Sequence, residues 1–101
     1  MAATHEPVAG TPPSLADLER WFEDEGLQSS VWSNEPDYRY AEHSHPYRKI
    51  LFCVSGSITF RTADGEFALQ PGDRLDVEAG TTHGAVVGPD GVTCIEAAAA
   101  A

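Results

Sequence analysis

Long apolar runs, basic residues and cysteines are all scarce in this chain of 101 residues. No apolar run reaches the about 18 residues that a membrane-spanning helix needs. The N-terminal stretch also lacks the basic start and apolar block of a signal peptide, so we expect neither feature. Lys and Arg number 6 against 16 Asp and Glu, which gives a net charge of −10. This charge repels phosphate backbones and anionic surfaces, and it argues against nucleic-acid and membrane partners.

The 2 cysteines, Cys53 and Cys94, are too few for a disulfide framework. Each lies in an apolar stretch that has the pattern of a β-strand. We interpret them as buried thiols of a cytoplasmic protein, because a reducing compartment keeps cysteines unpaired. The chain length suits one domain with a thin core, which a partner subunit would help to cover.

Residues 1–13 hold three prolines, one glycine and few apolar side chains, a composition that predicts a flexible N-terminal tail. His5 lies in this tail and is expected to be solvated. We expect residues 14–97 to form a single domain, and the alanines of residues 97–101 to fray.

One helix is predicted over residues 14–26. Ser14 is a favourable N-cap, and Asp17 three residues later resembles the second half of a capping box. Gly26 supplies the C-terminal stop. An apolar face arises from three residues at helical spacing, Leu15, Leu18 and Phe22. We expect this helix to flank a larger β-structure.

From residue 29 onward, short β-prone runs alternate with turn residues, and no helical pattern separates them. The eight runs are SSVWS, YRYAEH, KILFCV, SITFRT, EFALQ, RLDVE, HGAVV and VTCIEA. Asp64-Gly65 is a strong hairpin signal. This spacing predicts an antiparallel β-sandwich or β-barrel. We expect the aromatic residues Trp32, Tyr38 and Tyr40 to pack under the helix or at a dimer interface.

The segment HSHPYRK, residues 43–49, carries two histidines in strand register. His43 and His45 point to the same face of an extended strand, about 7 Å apart. His83 is the only other histidine outside the tail, and it follows the turn-like AGTT. The three residues fit one site for a divalent transition metal ion, and Zn, Fe, Ni, Mn and Cu all suit imidazole ligands.

Two motifs in this region resemble those of the cupin superfamily, in its small single-domain (cupin 2-like) bacterial type. The first, G-x5-H-x-H-x3,4-E-x6-G, is matched by His43, His45 and Gly56. The second, G-x5-P-x-G-x2-H-x3-N, is matched by Gly72, Gly80 and His83. The resemblance implies an all-β fold, a small RmlC-like, jelly-roll-like antiparallel β-barrel to which the N-terminal helix is added. It also implies a pocket for a metal and a small molecule inside the barrel.

Four positions depart from these motifs. Asp37 replaces the first glycine, Glu78 the proline and Val87 the asparagine, and we interpret these changes as details of turns and packing. Lys49 is more consequential, because it stands where the family usually places its carboxylate ligand. A protonated lysine beside a divalent ion weakens metal binding by charge repulsion.

Three outcomes are open for Lys49. It can turn aside and pair with an acidic residue such as Glu42, which leaves an open three-histidine site. It can lose its proton when it is buried beside the metal. Or the barrel binds no metal, and Lys49 holds an anionic ligand. We favour the first outcome, with Lys49, Cys53 and Tyr47 as substrate-pocket candidates.

Three classes of function follow from this reading. The first is a metal-binding protein that binds or acts on a small, anionic molecule; as an enzyme it would be a metal-dependent dioxygenase, isomerase or lyase. The second is a metal-free binding or sensor module that uses Lys49. The third is a structural protein that acts as a dimerisation unit. A homodimer is expected in each case, because small barrels expose strand edges and cupins commonly dimerise.

Overall fold

The computed structural model describes residues 2–99, which form one helix and seven strands. In chain order these are β1 (Ala3–Glu6), α1 (Leu15–Asp24), β2 (Ser30–Asn34), β3 (Arg39–His43), β4 (Arg48–Thr62), β5 (Gly65–Leu69), β6 (Arg74–Val77) and β7 (His83–Ala99). Every strand pairing is antiparallel. The predicted all-β, jelly-roll-like fold with one N-terminal helix is confirmed.

The two longest strands, β4 and β7, pair along most of their length and organise the whole molecule. The first half of β4 also pairs with β6, and its second half pairs with β5. In the same way, β7 pairs with β3 near its start and with β2 near its end. One side of the jelly roll is therefore β1-β6-β4-β7-β2, and the other is β5-β4-β7-β3.

Four of the eight predicted runs are merged into these two long strands. The predicted turn at Ser55-Gly56 is a bend inside β4, with irregular pairing to β7 on both sides of it. The predicted GPDG turn is likewise inside β7. Gly56 and Gly91 have φ angles of 73° and 79°, and they lie against each other at this bend. Glycine permits the bend because it adopts positive φ at little cost.

The N-terminal segment differs from the predicted tail. Residues 3–6 form β1, which pairs with β6 from Ala3↔Val77 to Glu6↔Arg74. His5 is not simply solvated, because its Nε2 lies 3.0 Å from Oδ2 of Asp73. Local composition did not reveal this strand, since the residues it pairs with are some 70 positions away. The domain limits at 14 and 97 stay a prediction.

The C-terminal alanines are also more ordered than expected. Strand β7 continues to Ala99, which pairs with Arg48, so the predicted fraying is wrong for residues 97–99. Met1 and residues 100–101, on which the predictions of a tail and of fraying also fall, lie outside the described residues.

The helix prediction is confirmed apart from its ends. Ser14 is the N-cap, and the reciprocal capping box with Asp17 is present. The apolar face of α1 covers the outer side of the sheet, in a cluster of Leu18, Phe22, Ile50, Ile95 and Ala97. No helix among residues 2–99 is long and apolar enough to cross a membrane.

A second core fills the interior of the jelly roll. It contains Leu51, Cys53, Ile58, Phe60, Leu69, Leu75, Val77, Ala85, Val87, Val92 and Cys94. The two cysteines are buried and free, as predicted. They lie opposite each other on β4 and β7, and the hydrogen bond that the Cys94 thiol donates to Cys53, together with burial, raises the pKa of Cys94. This thiol is therefore uncharged at neutral pH.

Candidate metal centre

The structure brings the three predicted histidines together at one end of the jelly roll. His43 ends β3 and lies opposite His83, the first residue of β7. His45 follows in the loop, where its carbonyl accepts a hydrogen bond from the Gly80 amide at 2.7 Å. One ring nitrogen from each histidine lies within 4.8 Å of the other two. The pairing of β3 with β7 is irregular between Tyr40 and His43, and it resumes where His43 faces His83.

Hydrogen bonds fix the orientation of two of the imidazole rings. His83 Nδ1 donates to the carbonyl of Thr81 at 2.9 Å, and His43 Nδ1 donates to the carbonyl of Ala41 at 2.8 Å. Because a carbonyl oxygen only accepts, each Nδ1 carries the proton, and each Nε2 presents a lone pair. Backbone partners of this kind orient the histidine ligands of metal sites.

Two buried ring nitrogens lack a hydrogen-bond partner among residues 2–99, Nε2 of His45 and Nε2 of His83. Leaving a buried polar atom unsatisfied costs about 1–3 kcal/mol. Imidazole nitrogens bind zinc at about 2.0–2.1 Å, and the three nitrogens, all within 4.8 Å of one another, are the type of ligand that such an ion takes. The residues present therefore fit a divalent transition metal ion.

The electrostatic surroundings favour uncharged imidazoles. Burial lowers the pKa of His45; Lys49 and His43 lower it further, whereas Glu96 raises it. Burial also lowers the pKa of His83, although its hydrogen bond to Thr81 works in the opposite direction. Neutral imidazole is the form that binds metal ions, so the site is ready for a cation at neutral pH.

Lys49 turns to an acidic residue, but this residue is not Glu42. Its side chain is 11% exposed, and its Nζ lies 3.4 Å from Oε1 of Glu96 on β7. The same Oε1 accepts a hydrogen bond from Nε1 of Trp32 at 2.7 Å. Among the described residues, no ion pair joins Lys49 to Glu42. The specific suggestion of Glu42 is therefore wrong, and a carboxylate from a different strand takes its place.

The histidines open onto a cavity of about 220 Å³. Its lining consists of Trp32, Tyr40, His43, His45, Lys49, Phe60, His83, Ala85 and Glu96. Trp32 and Tyr40 thus face the cavity and do not pack under α1. A hydrogen bond from the Tyr40 hydroxyl to Oδ1 of Asn34 anchors this wall.

Of the three predicted pocket residues, Lys49 alone lines this cavity. Cys53 is completely buried in the inner core, and Tyr47 is 36% exposed. Tyr47 stacks on the ring of His45 instead, with 5.0 Å between ring centroids. It therefore contacts a candidate ligand of the metal from outside the cavity.

The sequence did not predict that Glu96, Trp32 and Tyr40 line the cavity. A usable signal was present, because Glu96 is an isolated charge in the β-prone run VTCIEA, at the same strand parity as Cys94. A charge at an inward position of a strand is unusual without a partner. Its contact with Lys49 depended on the register between β4 and β7, which the sequence pattern did not supply.

An antiparallel jelly roll with three histidines converging on an interior cavity defines the class of cupin-like proteins. The sequence model described as "Cupin domain" matches residues 31–94. This match spans more than half of the chain, and the chain therefore belongs to the cupin family.

Solved structures with the same fold support this assignment. An RmlC-like cupin from Shewanella frigidimarina has a TM-score of 0.65 at 23% identity, over 74% of this chain and 67% of that chain. KdgF from Halomonas sp. has a TM-score of 0.62 at 21% identity, over 95% and 79% of the two chains. The DMSP lyase DddQ from Ruegeria pomeroyi has a TM-score of 0.66 at 22% identity, over 71% of this chain and only 37% of the lyase. These identities show a shared fold. Among curated proteins, no match is found.

Proposed function

We propose that this cupin domain binds one divalent transition metal ion through His43, His45 and His83, and that the centre binds or transforms a small anionic molecule. The observation that carries the proposal is the pair of buried Nε2 atoms without hydrogen-bond partners among residues 2–99. A bound ion would satisfy both atoms. Zn, Fe, Ni, Mn and Cu all remain candidates, because imidazole suits each of them.

The cavity supports a small ligand. Three protein ligands leave coordination positions open for water or substrate, which is the arrangement of catalytic rather than structural metal sites. When bound, such an ion polarises an oxygen of the substrate or activates water. A volume of about 220 Å³ is below that of pockets for drug-sized molecules. A dioxygenase, isomerase or lyase acting on a compact acid is consistent with these features.

The metal-free alternative has less support. A binding module that relies on Lys49 needs an ammonium group that is free to meet an anion. Instead, Lys49 Nζ lies 3.4 Å from a carboxylate oxygen of Glu96. No observation specifically favours a purely structural role either.

Elemental analysis tests the proposal directly. The chain is purified without a histidine tag and without added metal, alongside His43→Ala as the control. We expect close to one transition metal ion per wild-type chain, and a loss of at least about tenfold in the variant, because two imidazoles hold such an ion poorly. The absence of metal from the wild type, even after incubation with divalent ions, would reject the proposal.

We also propose that the protein is a cytoplasmic homodimer. Strand β2 ends the path of paired strands in the described part of the chain, and its Val31 is 43% exposed. An exposed strand edge with an apolar residue favours pairing with a second copy. Sedimentation equilibrium is expected to give twice the mass of one chain, and a monomeric mass at micromolar concentration would contradict the dimer. Cell fractionation tests the location.

A further inference from the structure

The contact between Lys49 and Glu96 joins two charged residues that face the same cavity as the three histidines. On the paired strands, Leu51 is opposite Glu96 and Lys49 is opposite Ala98. Lys49 and Glu96 are therefore diagonal neighbours on one face of the sheet, a geometry in which long side chains meet. This pairing follows from the regular register of β4 and β7 between Arg48↔Ala99 and Cys53↔Cys94.

The pair is held in place by its surroundings. Lys49 as a whole residue is only 8% exposed, and besides the ion pair the Glu96 carboxylate accepts a hydrogen bond from the Trp32 indole at 2.7 Å. Both contacts use Oε1 of Glu96. An indole N–H donates and never accepts, so this oxygen of Glu96 is the acceptor of the hydrogen bond.

The two charges act on the histidines with opposite sign. Lys49 is positive and Glu96 is negative, and both line the cavity that the three histidines share. Among the charged side chains that line the cavity, the contributions of Lys49 and Glu96 cancel to a net charge near zero. A divalent ion bound by neutral imidazoles would then make the cavity positive by about two charges.

We infer that Glu96 offsets the charge of Lys49 beside the metal centre and that Lys49 positions it, so that the cavity has no net charge without the metal and accepts an anion only after the metal is bound. The carboxylate that the cupin motif supplies from β4 is thus replaced by one from β7, in a pair with the residue that occupies the motif position. This inference rests on the proposed metal-binding function and adds an order of binding to it.

The direction in which two single substitutions change the affinity for Zn²⁺ tests the inference. Zn²⁺ is titrated into metal-free protein near pH 8 and followed by calorimetry. Glu96→Gln keeps the shape and the acceptor for Trp32 but removes the negative charge, so we expect Zn²⁺ affinity to fall about tenfold, the low end of the range for groups near metal ligands. Lys49→Met keeps much of the side-chain length but removes the positive charge, so we expect the affinity to rise about tenfold.

Two controls distinguish an effect of charge on Zn²⁺ affinity from an effect of the substitutions on the fold. The double variant Lys49→Met/Glu96→Gln removes both charges, and we expect its affinity to return to within about threefold of wild type. Glu66→Gln makes the same charge change at the exposed β5 hairpin, and little effect is expected because solvent and salt screen it. If the contact only joins β4 to β7, both single variants will lose affinity or leave it unchanged, and the inference is overturned.

Azide serves as the anion probe for the order of binding. We expect calorimetry to detect azide binding to Zn²⁺-loaded wild-type protein and at least about tenfold weaker binding to metal-free protein, because an unmatched positive charge is present only in the former. Equal azide affinity in the two states would reject the order.

If wild-type protein binds no Zn²⁺ at all, the proposed function itself fails. If it binds Zn²⁺ but the two variants shift in the same direction, only the further inference fails.

Discussion

The glycine positions of the two cupin motifs have a backbone explanation. Gly56, Gly72 and Gly80 have φ angles of 73°, 92° and 79°, in the left-handed region that residues with a Cβ rarely adopt. Asp37, which replaces a motif glycine, also has a positive φ, of 64°. Aspartate is among the few residues that tolerate this conformation. The departure at position 37 therefore preserves the turn.

Gly56 faces a further constraint at the bend of β4. A Cβ at this position would lie 2.0 Å from the carbonyl oxygen of Gly91, whose backbone has little freedom to move. We expect Gly56→Ala to reduce the free energy of unfolding by about 3 kcal/mol or more, from conformational strain and steric clash together. Urea denaturation of the two proteins measures this difference.

Gly26→Ala is the matched control for Gly56→Ala. Gly26 has the same φ of 73°, but nothing lies within 4 Å of an added Cβ. We expect this substitution to cost only the conformational term, about 1–2 kcal/mol. Equal losses in the two variants would show that the bend between Gly56 and Gly91 is more adaptable than its geometry implies.

The candidate metal ligands were predictable from single residues, whereas their surroundings were not. His43 and His45 share a face by strand alternation, and His83 was the only further histidine outside the tail segment. The partner of Lys49 was mispredicted because Glu42 is near it in sequence, while Glu96 is near it only through the pairing of β4 with β7. Register is a long-range property, and local pattern does not determine it.

At the scale of elements, the strand count illustrates the same limit. Period-two alternation located the strand runs from residue 29 onward, but it could not tell a turn from a bend. Ser55-Gly56 satisfies the composition of a turn, yet both flanking runs remain paired with β7, so the chain continues as one strand. Strand β1 escaped prediction for a related reason, since its pairing with β6 is non-local.

Strand β1 also connects the N-terminal segment to the candidate metal centre. The carbonyl of Ala2 accepts hydrogen bonds from the Glu78 amide at 2.9 Å and from the Thr81 hydroxyl at 3.3 Å. The Thr81 carbonyl in turn orients the ring of His83. A segment whose composition suggested a tail thus supports the turn that positions one of the three histidines.

At the scale of the whole molecule, most of the 16 acidic residues are surface charges, but Asp73 and Asp76 bind separate parts of the fold together. Asp73 accepts hydrogen bonds from the amides of Val8 and Gln70 and from the ring of His5. Asp76 accepts hydrogen bonds from Arg48 on β4 and from Arg74 on its own strand. These two carboxylates are the main candidates for a dependence of stability on acidic pH.

The direction of that dependence follows from Asp76. Burial alone would raise its pKa, but hydrogen bonds from Arg74 and Arg48 outweigh burial, and the folded pKa lies below the ordinary value of 3.8. Between the two pKa values the unfolded chain binds more protons than the folded chain. The stabilisation is therefore complete above about pH 4–5, and it is lost as the pH falls through the folded pKa.

Asp76→Asn makes this contribution measurable. At pH 7 we expect the variant to be less stable than wild type by about 2 kcal/mol, since hydrogen bonds to charged groups contribute about 1.5–3 kcal/mol. Urea denaturation between pH 7 and pH 2.5 should show this gap closing as the wild-type carboxyl becomes protonated. Asp64→Asn, in the exposed β4–β5 turn, controls for net charge and should differ little from wild type at any pH. A gap for Asp76→Asn that stays constant down to pH 2.5 would mean that packing, and not the ionised carboxylate between two arginines, provides the stability at this position.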